Sequence, residues 1–259
     1  MSNDVSPAIE THAAERILGA IRRGSSWPVL VRTRAGRFVT KLRGAAQGIP
    51  ALIAEVIVAE LATRLDLPVP ERAIVTVSAD TPSDDANDEL ADLRARSVGE
   101  NLGFRLLEGA TDLSLDRRRL VDAETAARIV WLDGLVMNPD RTERNPNVLL
   151  WHRRPWLIDH GACLPFHHDW SHVTEASPRE PGPSAAGHLL ASVASPLRDV
   201  DETCASRLGR GDLTSCVARV PESFLRDAFP TDAPARIRAA YVAFLWKRLR
   251  PPRPFLGAS

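Results

Sequence analysis

The stretch NPDRTERNPNVLL occupies residues 138–150 and places Asp140 and Asn145 between a long apolar segment and a predicted hairpin. The hairpin consists of the strand-like segments NVLLW and PWLID around the turn sequence HRRP. Asp159 closes the second segment. A hairpin folded at HRRP would return Asp159 to the loop that holds Asp140 and Asn145. The sequence therefore predicts that two carboxylates and an amide oxygen converge at one point.

These three side chains have the chemistry that phosphoryl transfer requires. Carboxylate and amide oxygens are hard ligands that suit Mg²⁺, which needs few protein ligands where phosphates supply the others. In such a reaction one aspartate orients or deprotonates the attacking hydroxyl, while an asparagine and a second aspartate hold metal on the phosphates. The spacing of the three residues predicts a site of this kind.

The N-terminal half offers a cation for the same chemistry. Lys41 ends a predicted strand, and Glu55 lies fourteen residues later on a predicted helix. A strand lysine paired with a helix glutamate positions phosphates in kinases. Val39 shares a strand face with Lys41 because side chains alternate, so it could cover an adenine ring. Glu60 is a rival partner, but five residues turn a helix by about 500°, so the two glutamates face apart.

Periodicity predicts a strand-rich N-terminal half and a mostly helical C-terminal half. We expect a helix at 121–137, with Asp122 as its N-cap and Pro139 beyond its end. A helix at 50–65 is apolar on most sides and is expected to be buried. The remaining expectations are a short helix at 8–22, a hairpin of VLVRT and RFVTKL around RAG, strands at 72–78 and 103–109, and a helix at 233–249.

Composition excludes several classes of protein. The formal net charge is zero, which gives no electrostatic case for binding nucleic acid or an anionic membrane. No apolar run approaches the ~18 residues of a membrane span. The three cysteines have no CxxC spacing, which favours a reducing compartment, and the polar N-terminus lacks a signal-peptide core. We therefore expect a cytoplasmic protein.

Four separated elements together resemble the HipA-like kinases, which share the protein-kinase-like fold with the phosphatidylinositol 3/4-kinases. The elements are LIAEVIVAELATRLDLPVP, the VTK strand, NPDRTERNPNVLL and LIDHG. The resemblance runs from about residue 24 to residue 169. It implies an α+β, two-lobed fold with ATP and Mg²⁺ between the lobes. The predicted divisions are an N-terminal helix or tail at 1–22, a nucleotide-binding lobe at 23–110 and a catalytic lobe at 111–259.

The resemblance also implies a role for each candidate residue. Asp140 is the catalytic aspartate, Asn145 and Asp159 hold the metal, Lys41 binds the α- and β-phosphates, and Glu55 orients Lys41. The segment GSSWP stands where a phosphate-covering loop belongs, and the strand at 103–109 leads into the hinge between lobes. Gly24, Ser25, Ser26, Glu108 and Ala110 are the further nucleotide-binding candidates.

The implied reaction is transfer of the γ-phosphoryl of ATP to a hydroxyl of a protein serine or threonine. A lipid or small-molecule acceptor and a nucleotide-binding pseudokinase remain alternatives. The chain lacks GxGxxG, as do the resembled families. HipA toxins carry an additional N-terminal subdomain that contacts an antitoxin, whereas only about 23 residues precede the loop here. An antitoxin-like partner is therefore not expected.

Structural interpretations stand beside these roles. Asp133 is expected to brace the catalytic loop, Arg141 to make structural hydrogen bonds, and Asn147 to shape the loop rather than bind metal. The cluster FHHDWSH suggests a different class, a zinc hydrolase, since imidazoles and a carboxylate can bind zinc. No HExxH accompanies the cluster, so local packing is the favoured interpretation of its histidines.

Overall fold

A computed structural model of the protein describes residues 8–21, 27–183 and 187–256. The chain forms two compact units, one of Met1–Leu52 with Pro70–Glu108 and one of Ile53–Val69 with Gly109–Ser259. Both helices and sheets are present, which confirms the predicted α+β class. The candidate residues Gly24, Ser25 and Ser26 lie outside the described residues.

The first unit is built on a six-stranded sheet. Its strands are β1 (Thr11–Ala13), β2 (Arg16–Ala20), β3 (Val29–Thr33), β4 (Gly36–Lys41), β5 (Arg72–Val77) and β6 (Gly99–Arg105). Their spatial order is β1-β5-β6-β4-β3-β2, and the β1–β5 pair is parallel. The predicted hairpin around RAG is confirmed by the β3–β4 pairing, in which Thr33 opposes Gly36.

The helix predicted at residues 8–22 is wrong, because this segment forms β1 and β2. Thr11 pairs with Ile74 in β5, and Arg16 pairs with Arg32 in β3. Gly19 has a φ of +147°, a value that glycine adopts readily but that does not occur within an α-helix. Isolated helices of this length are marginal, whereas strand pairing supplies backbone hydrogen bonds from distant segments.

The strand predicted at 103–109 is shifted, because β6 runs from Gly99 to Arg105. Its early residues look polar in sequence, but Asn101 is fully buried and hydrogen-bonded. Its Nδ2 donates to the carbonyls of Ser97 and Gly99, both at 2.9 Å. Its Oδ1 accepts from the amide of Arg43 at 2.8 Å. A buried amide with all these partners is tolerated in a central strand.

The helix predicted at residues 50–65 is confirmed. This helix, α1 (Gly48–Arg64), starts in the first unit and belongs to the second from Ile53 onward. Apolar side chains on every side of it are buried, as its pattern predicted. A second helix, α2 (Asp88–Ala95), starts at Asn87, whose side chain accepts from the amides of Glu89 and Leu90. The first unit's core cluster contains Ile17, Val29, Val31, Phe38, Leu42, Ala73, Val75, Val77, Leu90 and Leu93.

The second unit combines a small sheet with most of the helices. Its sheet has the order β7-β8-β9, formed by β7 (Thr111–Asp112), β8 (Val148–Trp151) and β9 (Arg154–Leu157). Its further helices are α3 (Ala123–Val136), α4 (Leu197–Ser206), α5 (Arg210–Ala218), α6 (Glu222–Ala228) and α7 (Pro234–Leu249). Short 3₁₀ helices occupy Leu115–Leu120, Pro165–His168, Trp170–His172, Ser177–Arg179 and Pro254–Leu256.

The element that positions the candidate site is α3. Asp122 caps its N-terminus and accepts from the amide of Thr125 at 2.8 Å, as predicted. Trp131, Leu132 and Leu135 are fully buried on its apolar face. The helix packs against α4 and α7. None of the helices in the described residues combines the length and hydropathy of a membrane span.

Candidate active site

The loop that carries Asp140 begins where α3 ends. Met137 takes the left-handed conformation, with a φ of +58°, and its amide donates to the carbonyl of Asp133. The side chain of Asn138 then accepts from the amide of Asp140 at 2.9 Å. An asparagine that binds the amide two residues later closes a tight turn. Asp140 follows this turn and is half-buried.

Asn147 holds Asp140 from the other end of the loop. Its Nδ2 donates to the Asp140 carbonyl at 3.2 Å and lies 3.3 Å from Asp140 Oδ2. Asn147 is buried and has a φ of +47°, a conformation that asparagine tolerates better than most residues. The expected loop-shaping role of Asn147 is therefore confirmed by these contacts.

The predicted β8–β9 hairpin is confirmed and returns the chain to this loop. Its turn residues His152 and Arg153 both have positive φ, as a two-residue type I′ turn requires. Val148 pairs with Leu157, and the amide of Ile158 donates to the carbonyl of Asn147 at 3.1 Å. Asp159 follows immediately, half-buried, with a φ of +56°. Ile158, which precedes Asp159, is thus hydrogen-bonded to Asn147, whose side chain bonds Asp140.

Asn145 lies on the exposed side of the same loop. Its amide donates to Thr142 Oγ1 at 3.2 Å, and its carbonyl accepts from the Thr142 amide at 3.0 Å. These bonds form a tight turn that leaves the residue at the surface. The carboxylate of Asp159 and the amide oxygen of Asn145, the two candidate metal ligands, are hard oxygen donors of the type that Mg²⁺ prefers. The same loop contains another asparagine, Asn147, whose side-chain amide is buried, whereas Asn145 is exposed.

A buried ionic network anchors the loop from behind. Arg141 Nε donates to Asp133 Oδ2 at 2.6 Å, and both side chains are at most 2% exposed. Arg141 also donates to the carbonyl of Asn147. Asp133 accepts further bonds from Asn138 Nδ2 at 2.8 Å and from His188 Nε2 at 2.8 Å. The expected structural roles of Asp133 and Arg141 are confirmed.

The charge of Asp133 depends on these partners. Burial by itself raises the pKa of the Asp133 carboxyl, but the Arg141 guanidinium and the His188 hydrogen bond together hold it well below its ordinary value. A buried carboxylate with this partner set stays ionised at neutral pH. The network therefore supplies a fixed anion behind the loop of Asp140.

The pKa of the buried Cys163 thiol responds to several charged groups of the second unit. Burial raises the pKa of the Cys163 thiol, and the charges of Asp133, Glu55 and Asp159 raise it further, against the opposing effect of Arg141. Glu55 is fully buried on α1. Glu60 accepts from Arg219 Nε at 3.3 Å. Both glutamates lie on α1, and five residues turn a helix by about 500°, so the two side chains face apart.

The nucleotide-binding candidates of the first unit occupy β4 and the end of the sheet. Lys41 is 8% exposed and pairs with Leu102 of β6, while half-buried Val39 pairs with Phe104. Glu108 is exposed and accepts from Arg37 at 2.6 Å. The chain passes from the first unit to the second directly after Glu108, and half-buried Ala110 follows within two residues.

Comparison with known proteins identifies the family. The family model of HipA-like kinases matches residues 14–178, which is more than half of the chain. The chain belongs to the HipA-like kinase family. It is therefore a phosphotransferase of the kinase class, as its sequence predicted.

A solved structure supports the same fold. The Helicobacter pylori proinflammatory kinase CtkA superposes with a TM-score of 0.53 over 94% of this chain and 98% of that chain. The two sequences are 12% identical, so the likeness concerns the fold. No curated protein matches the chain in sequence.

The histidine cluster of this HipA-like kinase is engaged in local contacts rather than gathered as ligands. His167 Nδ1 lies 2.9 Å from the Tyr241 hydroxyl, and His172 Nδ1 lies 2.5 Å from Asp169 Oδ2. Burial lowers the pKa of His167 to about 3, with a smaller effect from His168. Within residues 8–21, 27–183 and 187–256, no three His, Cys, Asp or Glu side chains form a group that could hold a metal ion.

Two residues of the site were missed by sequence reasoning. Asn138 could have been found, because an asparagine two residues before a loop aspartate is a readable turn signal. His188 could not, since it lies 55 residues from its partner Asp133 in a segment without periodicity. Contacts across such separations depend on the tertiary fold.

Proposed function

We propose that this kinase transfers the γ-phosphoryl group of Mg-ATP to a hydroxyl group, with a serine or threonine of a protein as the acceptor. The observation that carries the proposal is the placement of Asp140. Its carboxylate is held by Asn147, and the carbonyl of Asn147 accepts from the residue before Asp159. This bond brings the chain next to Asp159 back to the loop of Asp140, and phosphoryl transfer uses one aspartate for the acceptor hydroxyl and a second for the metal.

Asp140 would orient the acceptor hydroxyl and take its proton as the oxygen attacks the phosphorus. Its half-buried carboxylate is accessible to an acceptor, while bonds to its main chain from Asn138 and Asn147 restrict its direction. Positioning of this kind accounts for much of a kinase's rate enhancement. Asn145 and Asp159 would hold Mg²⁺, which supplies charge neutralisation on the phosphates when bound.

The remaining candidates would act on the nucleotide. Lys41 would bind the α- and β-phosphates, and Glu55 would orient it. Val39 would cover the adenine, Glu108 and Ala110 would contribute at the hinge, and Gly24, Ser25 and Ser26 would cover the phosphates. Lys41 and Glu55 are both nearly or fully buried, and buried charges are retained where they are paired.

The test is Mg²⁺-dependent transfer of labelled phosphate from ATP to proteins of a cell extract, with wild type and Asp140→Ala compared. Loss of the carboxylate should reduce transfer at least ~100-fold, the lower range for general acid–base groups, and leave ATP affinity unchanged. The matched control is Asp199→Ala, since Asp199 is an exposed aspartate on α4. It should retain wild-type transfer.

Three other outcomes would change the assignment. A labelled protein that persists in Asp140→Ala would remove the catalytic role of Asp140. Consumption of ATP without labelled protein would replace the protein acceptor with a small-molecule or lipid hydroxyl. Binding of ATP by the wild type without any consumption would contradict the proposed transfer and favour a pseudokinase.

A further inference from the structure

His188 contacts the network behind the loop of Asp140 through Nε2, while Nδ1 is bound by the main chain of its own segment. Its Nδ1 accepts from the amide of Leu190 at 3.0 Å, and its Nε2 lies 2.8 Å from Asp133 Oδ2. Because Nδ1 accepts a hydrogen bond, the ring proton is on Nε2, and this N–H donates a hydrogen bond to the Asp133 carboxylate. The His188 side chain is 7% exposed and Asp133 2%, so water competes little for this bond.

The main chain around His188 also docks on the catalytic loop. His188 forms an antiparallel bridge with Thr142, and the amide of Leu189 donates to the carbonyl of Arg141 at 3.1 Å. Arg141 and Thr142 follow Asp140 directly in the chain. The segment at 187–190 thus binds the loop through its backbone and binds Asp133 of α3 through the imidazole of His188.

Asp133 connects His188 to both ends of the loop, because it also accepts hydrogen bonds from residues that bond each end. Its Oδ2 also accepts from Arg141, which donates in turn to the carbonyl of Asn147. Its Oδ1 accepts from Asn138 at 2.8 Å. Asn138 and Asn147 are the two residues whose side chains bond Asp140. A shift of the Asp133 carboxylate would therefore disturb the residues that bond Asp140 on both sides.

We infer that His188 is a positioning residue for Asp140, acting through Asp133, and that docking of the 187–190 segment is a condition for phosphoryl transfer. The inference rests on the proposed function of Asp140. His188 itself is assigned no contact with nucleotide or acceptor. Its role is to fix the orientation of the Asp133 carboxylate, which in turn fixes Asn138 and Arg141.

The experiment compares His188→Ala and His188→Gln in the full-length protein. Alanine removes the donor to Asp133, whereas glutamine keeps an amide N–H at a similar reach. In His188→Ala, kcat should fall about 10- to 100-fold with the KM for ATP nearly unchanged, since small misplacements of catalytic groups have effects of that size. His188→Gln should recover most of the lost kcat. His12→Ala is the matched control, because His12 also lies near a carboxylate, Glu10, at 3.4 Å.

Hydrogen exchange supplies a readout that does not depend on activity. Peptides covering residues 138–147 should exchange about 10-fold faster in His188→Ala than in wild type, and at wild-type rates in His188→Gln and His12→Ala. Equal kcat and equal exchange in His188→Ala would overturn the inference. Equal losses of kcat in the alanine and glutamine variants would also overturn it.

The two proposals fail in distinguishable ways. If the wild type transfers no phosphate, the proposed function fails, and exchange alone decides whether His188 restrains the loop. Faster exchange confined to His188→Ala would then support the coupling. Unchanged exchange would overturn it. Thermal unfolding of each variant separates a local effect from global destabilisation.

Discussion

The catalytic loop has a buried side and an exposed side that differ sharply in how they are held. The buried side comprises Asn138, Arg141 and Asn147. The side chains of Asn138 and Arg141 bond Asp133 of α3, and that of Asn147 bonds Asp140 within the loop. The exposed side comprises residues 143–145, which are tied by the turn at Thr142 and by an Arg118–Glu143 pair at 3.0 Å. Asp140 lies between them and is half-buried.

The difference separates two tasks within one short loop. A buried, fully bonded side fixes direction, because removing any partner leaves a desolvated polar group behind. An exposed side can exchange water for a ligand at little cost. The comparison favours a positioning task for the buried side and agrees with the ligand contact that we propose for the exposed side.

The largest expected effect comes from breaking the buried ion pair. Arg141→Leu leaves the Asp133 carboxylate buried without its main counter-charge, and the free energy of unfolding should fall by about 3–5 kcal/mol. Denaturant unfolding measures this change. The matched control is Arg118→Leu, which removes a partly exposed pair on the other side of the loop and should cost less than ~1 kcal/mol. Equal losses in the two variants would refute the division of the loop.

The second effect is a pH dependence carried by Asp133. Its pKa is lowered in the folded protein, so it stabilises the fold above its unfolded pKa of ~3.9. This contribution is lost as the pH falls below ~4, by at most about 1.4 kcal/mol per pH unit.

The difference in unfolding free energy between wild type and Asp133→Asn should therefore shrink from pH 5 to pH 3. Denaturant titrations at each pH measure it. The matched control is Glu143→Gln on the exposed side, whose difference from wild type should stay small throughout. A difference for Asp133→Asn that is constant across this range would contradict the charged, buried state of Asp133.

The smallest effect on stability is expected at Asn145. Asn145→Ala removes an exposed side chain, so the free energy of unfolding should change by no more than ~0.5 kcal/mol. The Mg²⁺ concentration needed for half-maximal transfer should rise, because an oxygen ligand is lost.

Asn147→Gly provides the matched comparison, since glycine accepts the positive φ of this position. It should lower kcat without changing the Mg²⁺ requirement. If instead Asn147→Gly raises the Mg²⁺ requirement and Asn145→Ala does not, the metal-binding amide belongs to the buried side. Activity measured across a Mg²⁺ titration decides between them.

Much of the site could be predicted from the sequence, because its signals are local. The N-cap at Asp122, the helix end before Pro139 and the HRRP turn each depend on residues a few positions apart. The pairing of β8 with β9 follows from the same turn. Those features sufficed to expect Asp159 beside the loop of Asp140.

Sequence signals did not predict the structure correctly where a segment pairs with another that is distant in the chain. Residues 11–13 become a strand because β5, some sixty residues later, offers its edge in parallel register. Asn101 lies in a strand that pairs with Val75 of β5, and its Oδ1 accepts from the amide of Arg43, 58 residues away in the chain. Neither partner is visible in a short window of sequence.

The sequence by itself determined the helix before the candidate site, the hairpin after it, the family and the identity of the candidate residues. Periodicity, turns and caps arise from interactions between residues that are close in sequence, so they can be inferred from the sequence alone. Only the tertiary structure decided which side of the catalytic loop is buried and that His188 binds Asp133 across 55 residues. Burial and long-range hydrogen bonding depend on how packed elements exclude water, and that is a property of the folded chain.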